Sequence, residues 1–144
     1  MSTRSYVGII DNGRVWYGYH HSDSYLESLG VELFKQIKTS AEAWDKIKEF
    51  TEIKHEDTAD SYFETPEIDV FIEFCYGFDV YDGIWYVSST HFHDGSKKHK
   101  LIDVVADDDK MQRYAEMYCE DAQSGIISQI REEILGNKTA DTAK

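Results

Sequence analysis

Hydrophobic and polar positions alternate at the start of the chain. Tyr6, Gly8 and Ile10 interleave with Val7 and Ile9, Asp11-Asn12-Gly13 interrupts, and Val15, Tyr17 and Tyr19 then interleave with Trp16 and Gly18. A period of two on either side of an Asn-Gly pair predicts a β-hairpin, because the tightest hairpin loops need positive φ at their turn residues. After His20-His21-Ser22-Asp23-Ser24 the period lengthens. Leu26, Leu29, Leu33 and Ile37 recur at helical spacing, and Val31 and Phe34 broaden the stripe. A second helix is expected to start at Ser40, with Ala43, Trp44, Ile47 and Phe50 on one face. Glu42 lies one position too early to complete a capping box with Ser40.

From Lys54 to Pro66 the chain is polar and acidic without a period, and reads as an exposed linker inside one domain. Ile68 to Phe78 is dense in β-branched and aromatic residues, which favours a strand. Alternation puts Ile68, Val70, Ile72, Phe74 and Tyr76 on one face and Asp69, Phe71, Glu73 and Cys75 on the other. Gly77 reads as a bulge or the start of a turn, and Tyr81-Asp82-Gly83 as a second hairpin turn before a strand over Ile84 to His91. His93-Asp94-Gly95-Ser96 makes a third turn, with a last strand from Lys100 to Val105. Asp107 to Asp109 then crowd a helix start, where carboxylates cap free amides. Met111, Tyr114, Tyr118, Ala122, Ile126, Ile130 and Ile134 form one apolar stripe that Gly136-Asn137 ends. This order predicts a single α+β domain over 1–137, an antiparallel sheet of about five strands with two or three helices on one face, and a tail over 138–144.

Composition narrows the function. A chain of 144 residues can bury a core without metal or disulfide help, and its single proline and 14% aromatic content oppose disorder. A formal charge of −13 opposes direct binding of nucleic acid or an anionic membrane, since cations carry phosphate binding. Cys75 and Cys119 are too few for a disulfide framework and sit among apolar neighbours, so both read as buried thiols. With no signal peptide and no long apolar run, a cytoplasmic location is expected.

The charge is unevenly placed. His55 to Ser96 holds ten Asp and Glu and ten aromatics with no Lys or Arg. Glu42, Asp45, Glu49, Glu52 and Glu56 add a spine at spacings of three and four, which fits one helical face, although a solvated face would look the same. From Glu42 to Asp82 there are thirteen acids against Lys46, Lys48 and Lys54. Such a surface attracts basic partners and can imitate a track of phosphates.

The first third of the chain resembles a family of small phage and prophage proteins. The matching residues are Ser2-Thr3-Arg4-Ser5-Tyr6-Val7-Gly8-Ile9, then Tyr19-His20-His21-Ser22-Asp23-Ser24-Tyr25, then the leucine-rich stretch from Leu26 to Ile37. The resemblance implies an origin in a phage or mobile element, where small acidic proteins counter host defence.

Histidine supplies the competing chemistry. His91-Phe92-His93-Asp94 and His20-His21-Ser22-Asp23 each put imidazoles beside a carboxylate at a strand end. His91, His93 and Asp94, joined by His20 and Asp23, offer a nitrogen–oxygen ligand set for a small metal-dependent hydrolase. A turn-forming role for those histidines is the plainer reading. No nucleophile elbow or phosphate-binding glycine loop occurs, so no cofactor is expected. Lys97, Lys98, His99 and Lys100 form one basic cluster, read as internal charge balance.

The expectation is therefore a binding protein and not an enzyme. It docks on a basic, nucleic-acid-binding host protein such as a CRISPR effector nuclease and competes with DNA by mimicry. Glu42, Asp45, Glu49, Glu52, Glu56, Asp57, Asp60, Glu64, Asp69 and Glu73 carry the charge. Tyr62, Phe63 and Tyr81 serve as aromatic anchors. Homodimerisation through the aromatic surface is a third reading.

Overall fold

The computed structural model describes residues 3–64 and 71–136. The expected hairpin is present as β1 (Arg4–Asp11) and β2 (Arg14–His21), with Asn12 and Gly13 at φ 57° and 80° in the turn. A π-helical turn (Leu26–Gly30) leads into α1 (Val31–Gln36). Tyr76 reaches this turn, and its hydroxyl donates to the Ser24 carbonyl at 2.7 Å.

The helix α2 (Ser40–Ile47) begins where the spacing suggested, but Ser40 is not its cap. Thr39 is the cap, its side chain accepts from the Glu42 amide, and the Glu42 carboxylate accepts from the Thr39 amide, so the capping box is complete.

The supposed linker is structured. It forms β3 (Lys54–Glu56), which pairs with β2, and α3 (Ala59–Phe63), capped by Thr58. The strand expected from 68 is shorter, β4 (Phe74–Asp79), because Phe71 sits at φ 58° and breaks the alternation. Ile72 therefore joins Cys75 on the face opposite Phe74. Residues 68–70 of the expected strand lie outside the described residues.

Next come β5 (Ile84–Ser89), a 3-10 turn (Thr90–Phe92) and a two-residue β6 (His99–Lys100). Where a last strand was expected, α4 (Leu101–Ala106) forms instead, because Leu101, Val104 and Val105 are needed on one buried face. The long C-terminal helix is two helices, α5 (Asp108–Ala115) and α6 (Glu120–Ile134), folded back on each other. Asp107 caps α5 by accepting from the Lys110 amide at 3.0 Å.

The sheet has six strands in the order β3-β2-β1-β4-β5-β6. It is mixed, not antiparallel throughout, since β1 and β4 run parallel with Gly8 opposite Gly77. Nor are the helices confined to one face. Val7, Ile9, Phe74, Tyr76, Phe78, Trp85 and Val87 pack against α1, α2, α4, α5 and α6 in the larger core. Tyr6, Ile10, Val15, Tyr17 and Cys75 form a second core under α3, closed by Tyr62, Phe63 and Ile72. Gly77 is no bulge: a Cβ there would lie 2.9 Å from Phe63 Cζ, so its bareness seats that ring on the sheet. Cys75 is buried as expected, whereas Cys119 is exposed in the bend between α5 and α6.

Candidate functional site

The helices α2 and α3 lie on opposite faces of the sheet, α2 with Ala43 and Ile47 in the larger core and α3 with Tyr62 and Phe63 in the smaller. The edge strand β3 runs between them. Glu42 and Asp45 are carried by α2, Glu49 and Glu52 by the chain leaving it, Glu56 by β3, and Asp60 by α3, with Asp57 before it and Glu64 after it. The five-acid spine is thus not one helical face. The acids instead flank one edge of the sheet from both sides.

Their side chains are not equivalent. Asp45, Glu52, Asp60 and Glu64 are exposed and make no side-chain hydrogen bond or ion pair among the described residues. Glu49 lies 3.5 Å from Lys46, and Asp57 3.9 Å from His55. Glu56 is half-buried and accepts from the Tyr17 hydroxyl at 3.0 Å. Burial, reinforced by that bond, pushes the Tyr17 phenol far up from its ordinary value. The backbone amides of Lys38 and Thr39 hold Glu42 below the usual carboxylate range, so this exposed acid stays ionised.

The rest of the expected site does not assemble here. Tyr62 and Phe63 are 1% and 0% exposed, because they fill the core that the supposed linker was thought to lack. Glu73 leads into the central strand β4, its amide bonded to the Arg4 carbonyl, and its carboxylate is 2.7 Å from His91 Nε2 and only partly exposed. Asp69 lies outside the described residues. Tyr81 is 91% exposed, at the tip of the β4–β5 hairpin beside the Asn12-Gly13 turn.

The histidine clusters are also divided. His91 is bonded to Glu73 and Asp94 to His99, while His93 is exposed at φ 58°. His20 lies on β2 near Asp23 and Glu32, and burial, followed by the charge of Lys46, lowers its pKa. Among the described residues, no three or more His, Cys, Asp and Glu side chains converge as a metal-holding group. The basic cluster is partly absorbed within the fold, with His99 on Asp94 and the Lys98 ammonium 4.8 Å from the Tyr86 ring centre.

One feature of the acidic edge was not anticipated. Beside β2 lies a groove of about 650 Å³, walled by Tyr6, Tyr19 and Phe50. Glu49 and Glu52 line it from the segment leaving α2, Arg4 and Lys54 from the strands. The Lys54 ammonium stands 5.7 Å from the Tyr6 ring centre. A sequence signal for this groove existed in Gly18: a Cβ there would come within 2.2 Å of Phe50, so the glycine admits the ring that forms the wall.

The fold and its acids define an α+β protein with a negatively charged sheet edge. No family model, curated protein or solved structure matches the chain. No helix among the described residues is long and apolar enough to cross a membrane.

Proposed function

We propose that this protein acts by binding, presenting the acids around β3 to a basic, nucleic-acid-binding surface of another protein and competing there with phosphates. The supporting observation is the placement of Asp45 and Glu52 on one side of the β3 edge and Asp60 and Glu64 on the other, all exposed and all without a bonding partner among the described residues. Carboxylates tied up in the fold would be of little use to a partner. These four are left for an intermolecular contact, Asp45 and Asp60 on two short, core-anchored helices and Glu52 and Glu64 on the chain that leaves them. Steering by such a field raises association rates and gives salt-sensitive affinity. A nuclease groove of a host defence system, such as a CRISPR effector, is the target class that this charge and the phage-protein resemblance suggest together.

The test is capture from host lysate with the intact chain and with a variant carrying Asp45→Lys, Glu52→Lys, Asp60→Lys and Glu64→Lys. Capture by the intact chain is expected to fall with salt and with added duplex DNA, and to be lost in the variant. Capture indifferent to the reversals, the salt and the DNA would overturn the proposal.

A further inference from the structure

The hydrogen-bonding edge of β2 is only half covered. Its partner β3 begins at Lys54, opposite Tyr17, and β2 runs on to His21. Antiparallel ladders alternate bonded and non-bonded pairs. The Ser22 amide bonds to the Thr3 carbonyl at 2.8 Å, so the Arg4–His21 and Tyr6–Tyr19 pairs are the non-bonded ones in the β1–β2 ladder. The backbone N–H and C=O groups of Tyr19 and His21 therefore point away from β1, and no described residue pairs with them on that side. Open edges of this kind are templates for another strand.

The groove lies along this open stretch. The chain from Glu49 to Glu52 swings away from the edge where it could have extended β3, pinned by Phe50 on Gly18. It leaves a slot with Tyr19 and Tyr6 on one side and the Glu49 and Glu52 segment on the other. Side chains of a strand laid in such a slot alternate between two faces.

We propose that the groove accepts an extended segment of a partner protein by strand addition at Tyr19 and His21, with Lys or Arg at alternate positions and apolar residues between them. The basic positions meet Glu49 and Glu52. The apolar positions lie on the exposed ring of Tyr19, on the side of the groove where the Lys54 ammonium already disfavours more positive charge. This rests on the reading of the protein as a binder of basic partners and adds to it how the partner's backbone is held. Backbone pairing gives the affinity in this mode, and the alternating side chains give the specificity.

The probe is a capped peptide of alternating Lys and Val, compared with its Glu/Val counterpart and with a copy N-methylated on alternate residues to block one hydrogen-bonding edge. Binding is followed by amide NMR shifts and hydrogen exchange of the intact protein. The Lys/Val peptide is expected to slow exchange at Tyr19 and His21 at least tenfold, and the other two peptides are not. Glu49→Lys with Glu52→Lys should abolish the effect while leaving the exchange of β1 and β4 amides unchanged.

If the peptide shifts the α2 and α3 resonances and leaves Tyr19 and His21 exchange unchanged, strand addition is wrong and the acidic-edge reading stands. If the Lys/Val peptide binds nowhere, strand addition is likewise wrong, and the acidic-edge reading stands or falls by the lysate capture. Equal protection by the Glu/Val peptide would overturn the assigned chemistry of the occupant.

Discussion

Replacing Phe63 by Ala separates a surface anchor from a core ring. The side chain is fully buried, its ring end lies over Gly77, and its carbonyl accepts from the Ser88 hydroxyl at 2.8 Å. Beside it Tyr62 donates to the Tyr76 carbonyl at 2.6 Å, and Cys75 donates to the Tyr62 carbonyl at 3.5 Å. These bonds hold α3 in place and limit how far it can collapse into a void. Truncation should therefore cost about 3–5 kcal/mol, the range for a phenylalanine removed from a well-packed core. Total stabilities run to only about 5–15 kcal/mol, so the loss is severe. In a chain of this size it should lower the melting temperature by roughly 10 °C. Urea denaturation should report the loss as a lower midpoint at unchanged slope.

Gly77→Ala supplies the control. Its Cβ meets Phe63 Cζ at 2.9 Å and Ile10 Cδ1 at 3.2 Å, so alone it should cost about 1–3 kcal/mol. With Phe63 already Ala, most of that cost should vanish, a coupling that a double-mutant cycle reads directly. A Phe63→Ala loss under about 1 kcal/mol, or additive costs in the cycle, would refute the packing of α3 on this face.

Gly18→Ala drives a methyl into Phe50 and should lower stability by about 1–3 kcal/mol in a thermal melt; a variant melting like the parent would refute the Phe50 wall. Thr39→Ala should cost about 1 kcal/mol through the lost cap, whereas Glu42→Gln, which keeps a capping-box side chain, should cost less, as paired denaturation curves would report. Burial, then the bond to Asp82, raises the Tyr86 phenol from 10.0 to about 12, and burial raises Tyr17, Tyr62, Tyr76, Tyr114 and Tyr118 as well. The unfolded chain therefore releases these protons first: their contribution to stability is complete below pH 10.0 and is lost as pH rises through the folded values. Ultraviolet titration should find fewer phenols ionising in the folded chain than in urea, and equal counts would contradict the burial.

The hairpin was legible because alternation and the Asn-Gly turn point the same way. The start of α2 at Ser40 was legible but its cap was missed, because Thr39 and Ser40 are both good caps and only the three-residue step to Glu42 chooses between them. The elements β3 and α3 escaped because three and five residues are too short to display a period. Their burial still left a mark in the partner strands. Tyr6-Val7-Gly8-Ile9-Ile10 and Phe74-Cys75-Tyr76-Gly77-Phe78 are unbroken runs with no polar face, the pattern of central strands covered on both sides. That pattern called for helices on both faces. The parallel pairing of β1 with β4 had no comparable local signal, since it joins segments nearly seventy residues apart. Of the candidate site, the bias toward acids around residues 42–64 was visible, but not which acids the fold consumes.

That distinction matters for any charge-reversal experiment on this protein. Glu42 caps a helix, Glu56 holds the Tyr17 hydroxyl, Glu73 meets His91, and Asp82 accepts from the Ile84 amide and the Tyr86 hydroxyl. A lysine at any of these removes a bond the fold uses as well as a charge, so lost binding there would be ambiguous. Asp45, Glu52, Asp60 and Glu64 carry no such duty, and surface changes of this kind shift stability by only about 0.5 kcal/mol. Binding lost at these four with the melting temperature preserved is a statement about the partner. Binding lost only at the bonded acids is a statement about the fold. The −13 charge thus mixes acids that the fold uses with exposed, unbonded ones. Among the described residues the latter include Glu32, Asp103, Glu116 and Glu132 as well as the four around β3, so lysine at those other acids is the control that separates the β3 edge from general surface charge.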